Sequence, residues 1–144
     1  MSLELPDIIP NQIGGVDKPA QDSRTFAKVD PATGKPLSRV RQWGADDVDR
    51  VVAAAKAAQP AWAELTVVKR GDILREIAIL MRTHRATLAE LVSRETGKSK
   101  KDALGETDAA IEMGFFVAGE GRRFYGQTTT SAVPNKTALV VRQP

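Results

Sequence analysis

The chain has 144 residues, enough for one domain with a hydrophobic core, and its 42% hydrophobic and 27% charged residues are ordinary proportions for a water-soluble protein. A net charge of +3, with Lys and Arg scattered among Asp and Glu, excludes the basic stripe of a nucleic-acid binder. No apolar run reaches the roughly 18 residues of a membrane span, no signal peptide opens the chain, and the absence of cysteine excludes disulfides, thiolate metal sites and a cysteine nucleophile among these residues. A cytoplasmic setting is the default expectation.

In chain order, residues 1–10 carry two prolines and no periodicity, and are expected to form an extended or frayed arm. Thr25 to Val29 and Leu37 to Val40 are β-leaning runs. Between them, Asp30-Pro31-Ala32-Thr33-Gly34 has turn chemistry: Asp first, Pro with its φ preset, Gly to close. This predicts a β-hairpin with a loop longer than two residues.

Ala45-Asp46-Asp47 places two carboxylates at the positive end of a helix whose apolar stripe is Val48, Val51, Val52, Ala55 and Ala58. Pro60 should end or kink it, leaving Trp62 to pack across the corner. Thr66 is placed to cap the next helix. That helix runs to about Glu95, with Ile73, Ile77, Leu80, Met81, Leu88, Leu91 and Val92 along one face and a break near Thr83-His84. Gly97 sits where a left-handed residue ends it. A last long helix, about Ser99 to Tyr125, repeats the spacing with Ala103, Ala110, Met113, Val117 and Phe124, although Lys98, Lys100 and Lys101 oppose the dipole at its start.

Four glycines interrupt that last helix, at 105, 114, 119 and 121, each costing about 1 kcal/mol against Ala in a helix interior. Such a cost implies close backbone approach, and the expected partner is something outside this sequence. Thr128 to Ser131 and Thr137 to Arg142 are again β-leaning, split by Pro134-Asn135-Lys136. The last apolar run stops at Gln143-Pro144 with nothing to cover it, so the chain reads as cut, not finished.

Glu95-Thr96-Gly97-Lys98, then Glu106, then the run from Ala118 to Gly126 (AGEGRRFYG), together resemble the aldehyde dehydrogenase superfamily, and more narrowly its succinate-semialdehyde branch. Asp30-Pro31-Ala32-Thr33-Gly34 resembles that family's Asn-Pro-Ala-Thr-Gly turn, with Asp in place of Asn. Ala45-Asp46-Asp47-Val48-Asp49 and Pro60-Ala61-Trp62 match its first helix. Asn11-Gln12-Ile13-Gly14-Gly15 is similar to its opening strand and glycine turn, with Val16 where an aromatic is usual.

The resemblance implies an α/β parent. Residues 1–10 would be an N-terminal arm, and residues 11–127 a mainly α-helical part of the cofactor-binding domain, with about three long helices behind a leading β-hairpin. Residues 128–144 would be the start of an extended β-arm that joins subunits into a homo-oligomer. It also implies NAD- or NADP-dependent oxidation of an aldehyde, semialdehydes included, to a carboxylic acid. In that chemistry a cysteine thiolate adds to the carbonyl, hydride passes to nicotinamide, and a glutamate activates the releasing water. None of those groups is among these residues. The chain alone is therefore expected to bind no cofactor and to be inactive. The competing expectation is a non-catalytic helical interaction or oligomerisation module, which the missing nucleophile would explain directly. Neither reading involves a membrane or a nucleic acid.

Gly97-Lys98-Ser99 imitates the end of a phosphate-binding loop but has Val92 where the second Gly belongs and follows a helix. Gly119-x-Gly121 lacks a preceding strand, which favours helix packing over dinucleotide binding. His84 stands alone and suits a structural or solvent-facing place better than a metal. Glu95 reads either as a helix-terminal carboxylate paired with Arg94 or Lys98, or, by resemblance, as a ligand for a monovalent cation. Gly105, Ala109 and Met113 recur at four-residue intervals; by resemblance they border the aldehyde tunnel, and otherwise they pack against the neighbouring helix. Arg122 and Arg123 could steer an anionic substrate such as a semialdehyde carboxylate, but a solvated helix face is the preferred reading.

Overall fold

The computed structural model describes residues 4–18 and 24–142; residues 1–3 of the arm, 19–23 and 143–144 lie outside them. The N-terminal strands are β1 (Ile8–Ile9), β2 (Asn11–Ile13), β3 (Val16–Lys18), β4 (Thr25–Val29) and β5 (Pro36–Arg41). The expected hairpin is β4–β5, antiparallel from Thr25↔Arg41 to Val29↔Pro36. Its turn closes as the residue types dictate. Asp30 Oδ1 accepts from Ala32 N at 2.8 Å, and Gly34 takes φ +71°.

Within the arm, Ile8 and Ile9 are extended, and they are also paired. They lie parallel to β5 against Arg39 and Val40, and Arg39 N donates to Asp7 O at 2.8 Å. Two residues suffice for this because β5 still has an unpaired edge, and backbone donors there gain from any acceptor. β2 and β3 form a separate small hairpin turned at Gly14-Gly15, both with positive φ.

The helices are α1 (Ala45–Glu64), α2 (Val67–Thr83), α3 (Arg85–Thr96) and α4 (Lys100–Gly119), the last closed by a 3-10 turn over Glu120–Arg122. Asp47 starts α1 by accepting from Gly44 N at 3.1 Å. Pro60 does not end the helix, which continues to Glu64. A proline already has helical φ; it forgoes one hydrogen bond, to the carbonyl four residues before it, and crowds that carbonyl. Arg70 Nη1 donates to Leu65 O at 2.6 Å, just beyond the last turn. Thr66 caps α2 as expected, accepting from Lys69 N, and the break falls at His84, whose side chain is exposed. Gly97 ends α3 with φ +74°; Ser99 then caps α4 by accepting from Asp102 N and donating to its Oδ2 at 2.7 Å. That carboxylate at the third helical position offsets the lysines.

α2 and α4 run antiparallel along one seam. A Cβ on Gly71 would lie 2.6 Å from Ala118 O, and one on Gly114 would lie 3.1 Å from the Ala78 Cβ. Gly121 similarly meets the Val67 carbonyl. The glycines at 114 and 121 therefore have their close partner within this chain, which corrects the expectation of an outside one. Gly105, by contrast, has nothing within 4 Å of its Cβ position. α3 packs on the N-terminal half of α4, where Ala89, Ala103, Thr107 and Ile111 are buried. The seam is thus lined with small residues. Ile73, Ile77 and Leu80, expected on the buried face, are 41%, 48% and 58% exposed. Short side chains let helix axes approach, and the larger ones are left on the flanks.

After α4, β6 (Gln127–Thr130) and β7 (Thr137–Val140) form an antiparallel ribbon exposed along its whole length.

Candidate functional site

Of the candidate residues, Gly105, Ala109 and Met113 run along α4 itself, while Glu95 lies at the corner between α3 and α4. Gly97 fits there because a Cβ would stand 2.9 Å from Pro31 Cγ, so the turn after β4 seats directly on the end of α3. The two turns that carry the family resemblance therefore touch. Ser93 Oγ donates to Lys98 O at 2.8 Å, and Thr96 Oγ1 to Val92 O at 2.7 Å, which fixes the corner from inside.

Glu95 is held by Lys28 of β4, its Oε2 at 3.0 Å from Nζ, with both side chains about one-third exposed. The partner thus comes from the sheet and not from the neighbouring residues that the sequence suggested, while Lys98 pairs with Glu106. Among the described residues no group of three His, Cys, Asp or Glu gathers in metal-holding range.

Gly105, Ala109 and Met113 share the side of α4 turned away from the α2–α4 seam. All three are exposed, Met113 to 59%, with Phe116 beside them at 61%. They stand in line, and among the described residues nothing lies within 4 Å of a Cβ at Gly105. One position before Ala109, an exposed ion pair links α4 to the start of α3. Arg85 grips Asp108 through Nε and through Nη2, the latter 2.6 Å from Oδ2. That fork holds the Asp108 carboxyl below its ordinary value, and the Arg50 guanidinium with the Gly44 amide does the same for Asp47.

The sequence missed this fork because its members are 23 residues apart. It also missed Lys28, whose only signal was alternation along β4, and Gly71, a helix glycine with no partner visible in one dimension.

Neither glycine motif fits a nucleotide. Gly97 is a helix terminus, Lys98 is engaged by Glu106, and the Gly121 backbone is pressed against the Val67 carbonyl. No step of dehydrogenase chemistry is assigned to them. Among the described residues no helix is long and apolar enough to cross a membrane.

A helix-rich chain led by short strands, with the hairpin turn docked on a Glu-Thr-Gly-Lys corner, defines a family: the chain belongs to the aldehyde dehydrogenase family, matching it over residues 18–144. It is 34% identical over its whole length to malonate-semialdehyde dehydrogenase 1 of Geobacillus kaustophilus. It is 36% identical over 87% of its length to the NADP(+)-dependent succinate-semialdehyde dehydrogenase of Escherichia coli. Its fold superimposes on the succinate-semialdehyde dehydrogenase of Burkholderia pseudomallei with a TM-score of 0.86, at 35% identity over 94% of the chain. The chain spans 30% and 26% of the two curated relatives and 28% of the solved one.

Proposed function

We propose that these residues are the helical scaffold and part of the substrate channel of an NAD(P)-dependent dehydrogenase that oxidises a semialdehyde to a carboxylic acid. The observation that carries this is the outer side of α4, where Gly105, Ala109 and Met113 stand in line, exposed and off the seam. Two small residues leave room for a passing aldehyde, and a flexible thioether adapts to it. The semialdehyde class and the NAD(P) requirement are supported by the relatives' names, malonate and succinate semialdehyde and NADP(+). With no cysteine in the chain, the nucleophile belongs to other residues.

The β6–β7 ribbon, with Leu139 and Val140 more than half exposed, is read as a homo-oligomer contact of a cytoplasmic enzyme. Glu95 is read first as the anchor of Lys28, because an ammonium 3.0 Å from the carboxylate already supplies the positive charge a monovalent cation would bring.

The test is a full-length dehydrogenase carrying these residues, assayed with semialdehydes and uncharged aldehydes, each with NAD and with NADP. Ala109→Trp is expected to raise KM at least ~10-fold with kcat less affected, the scale on which a filled apolar site discriminates. Unchanged kinetics in both Ala109→Trp and Met113→Trp would place the channel elsewhere. Aldehyde-dependent NAD(P) reduction by the 144-residue chain itself, its mass verified, would overturn the assignment of chemistry to other residues.

A further inference from the structure

A shallow groove of about 160 Å³ runs along one flank of the α2–α4 seam, away from Ala109 and Met113. Its volume is that of about five waters. Its floor is backbone. Gly71 and Gly121 bring α2 and the end of α4 too close for any side chain to fill it. Its walls are Phe115 and two arginines, Arg75 and Arg122.

These two arginines differ from the others of the helical layer. Arg70 is spent on the carbonyls that end α1, Arg82 on Glu112 and the Phe115 ring, Arg85 on Asp108 and Arg123 on Glu120. Arg75 and Arg122 have no acceptor among the described residues. The one carboxylate in the groove, Asp72, is correctly spaced to pair with Arg75 at i,i+3, yet its nearest cation is Lys69 at 4.0 Å. Each guanidinium carries five donors in a planar fork that matches an oxyanion.

We propose that this groove binds a small oxyanion, a phosphate or carboxylate group, bridging Arg75 of α2 and Arg122 beyond α4. A ligand held so ties together the two ends of the seam where backbone meets backbone. The site is separate from the substrate channel read from α4, and its test uses the chain alone, so its failure leaves the dehydrogenase reading untouched.

Equilibrium dialysis of radiolabelled inorganic phosphate against the 144-residue chain, at constant ionic strength made up with chloride, reads the binding whatever the association state. The expected result is saturable retention of one phosphate per chain with a Kd of ~1–10 mM, the scale of a few charge-assisted bonds at an open site. Arg75→Gln and Arg122→Gln, each checked for unchanged helicity by circular dichroism, should each weaken it at least ~5-fold. Arg123→Gln, which removes a paired arginine, should leave it unchanged. Displacement of phosphate by acetate extends the ligand class to carboxylates, and resistance to acetate restricts it to phosphates. Retention no greater than in a mixture with excess competing phosphate, or retention unaltered in the Arg75→Gln/Arg122→Gln double variant, overturns the proposal.

Discussion

The two flanks of the α2–α4 seam are made from the same pair of helices and have opposite characters. On α2, Ile73, Ile77 and Leu80 each precede a seam residue (Leu74, Ala78, Met81) by one position; on α4, Met113 and Val117 precede Gly114 and Ala118 in the same way. A step of one residue is a rotation of about 100°. Because the helices are antiparallel, the same sense of rotation puts both sets on one side, and that side is an apolar band of residues 40% exposed or more. The residues that follow the seam fall on the other side: Asp72, Arg75 and Arg82 from α2, Glu112, Phe115 and Gly119 from α4. There the Arg82–Glu112 pair and the Arg82–Phe115 contact cross between the helices. One flank is therefore complete in water, and the other is hydrophobic surface of the kind that marks an interaction site. The difference argues that the helices form one layer of a larger α/β arrangement, covered on the apolar side only.

The sharpest way to break this comparison is to break the seam that separates the flanks. Gly71→Ala puts a methyl group against the Ala118 carbonyl, where the blocking atom is backbone and cannot swing aside. The expected loss is ~2–3 kcal/mol, read from urea unfolding, at the upper end of what overpacking costs. Gly105→Ala, with open space at its Cβ position, should instead gain up to ~1 kcal/mol from helix propensity. Opposite signs at two glycines of one layer would sort packing from propensity; equal effects would dissolve the seam as described.

A second test sharpens the contrast between flanks. Ile77→Glu replaces an apolar side chain that the described residues leave half exposed, so stability should fall by no more than ~1 kcal/mol while self-association falls in sedimentation velocity. Arg82→Gln on the other flank should leave association unchanged. Should Ile77→Glu unfold the chain, the apolar flank would be core and the one-sided layer would be wrong.

The sequence made some of this legible, for identifiable reasons. Caps and turns depend on a few adjacent residues, so Thr66, Gly97, the break at His84 and the Asp30–Gly34 turn were readable from residue type alone. Periodicity gave the helices but not which face meets which. A stripe of Ile and Leu looks like core whether its partner is inside or outside the chain, and the true seam of Gly and Ala carries little hydrophobic signal. At the candidate site, the i,i+4 line from Gly105 to Met113 was legible, being one helix's own geometry. Its exposure, the Lys28–Glu95 pair and the Arg85–Asp108 fork depend on tertiary approach over tens of residues, which spacing cannot encode.

The smallest expected effect comes from that fork, and its sign follows from linkage. Asp108 binds its proton less readily in the folded chain, because Arg85 is hydrogen-bonded to the carboxylate. The unfolded chain therefore binds more protons in the interval between the depressed value and the ordinary one, about 3.9, and stability there rises with pH. The contribution is complete above the ordinary value and is lost as pH falls through the folded one. Asp47, held low by Arg50 and the Gly44 amide, acts in the same direction. Both members of the fork are more than 40% exposed, so water and salt screen the pair and the effect is modest. Asp108→Asn keeps the shape and removes the titration. The difference in thermal midpoint between the parent chain and this variant should be constant from pH 7 to about 5 and shrink toward pH 2. It should also be smaller in 1 M salt. A difference that grew on acidification would mean that the carboxylate repels its surroundings when charged, and the fork could not then be what fixes α3 against α4.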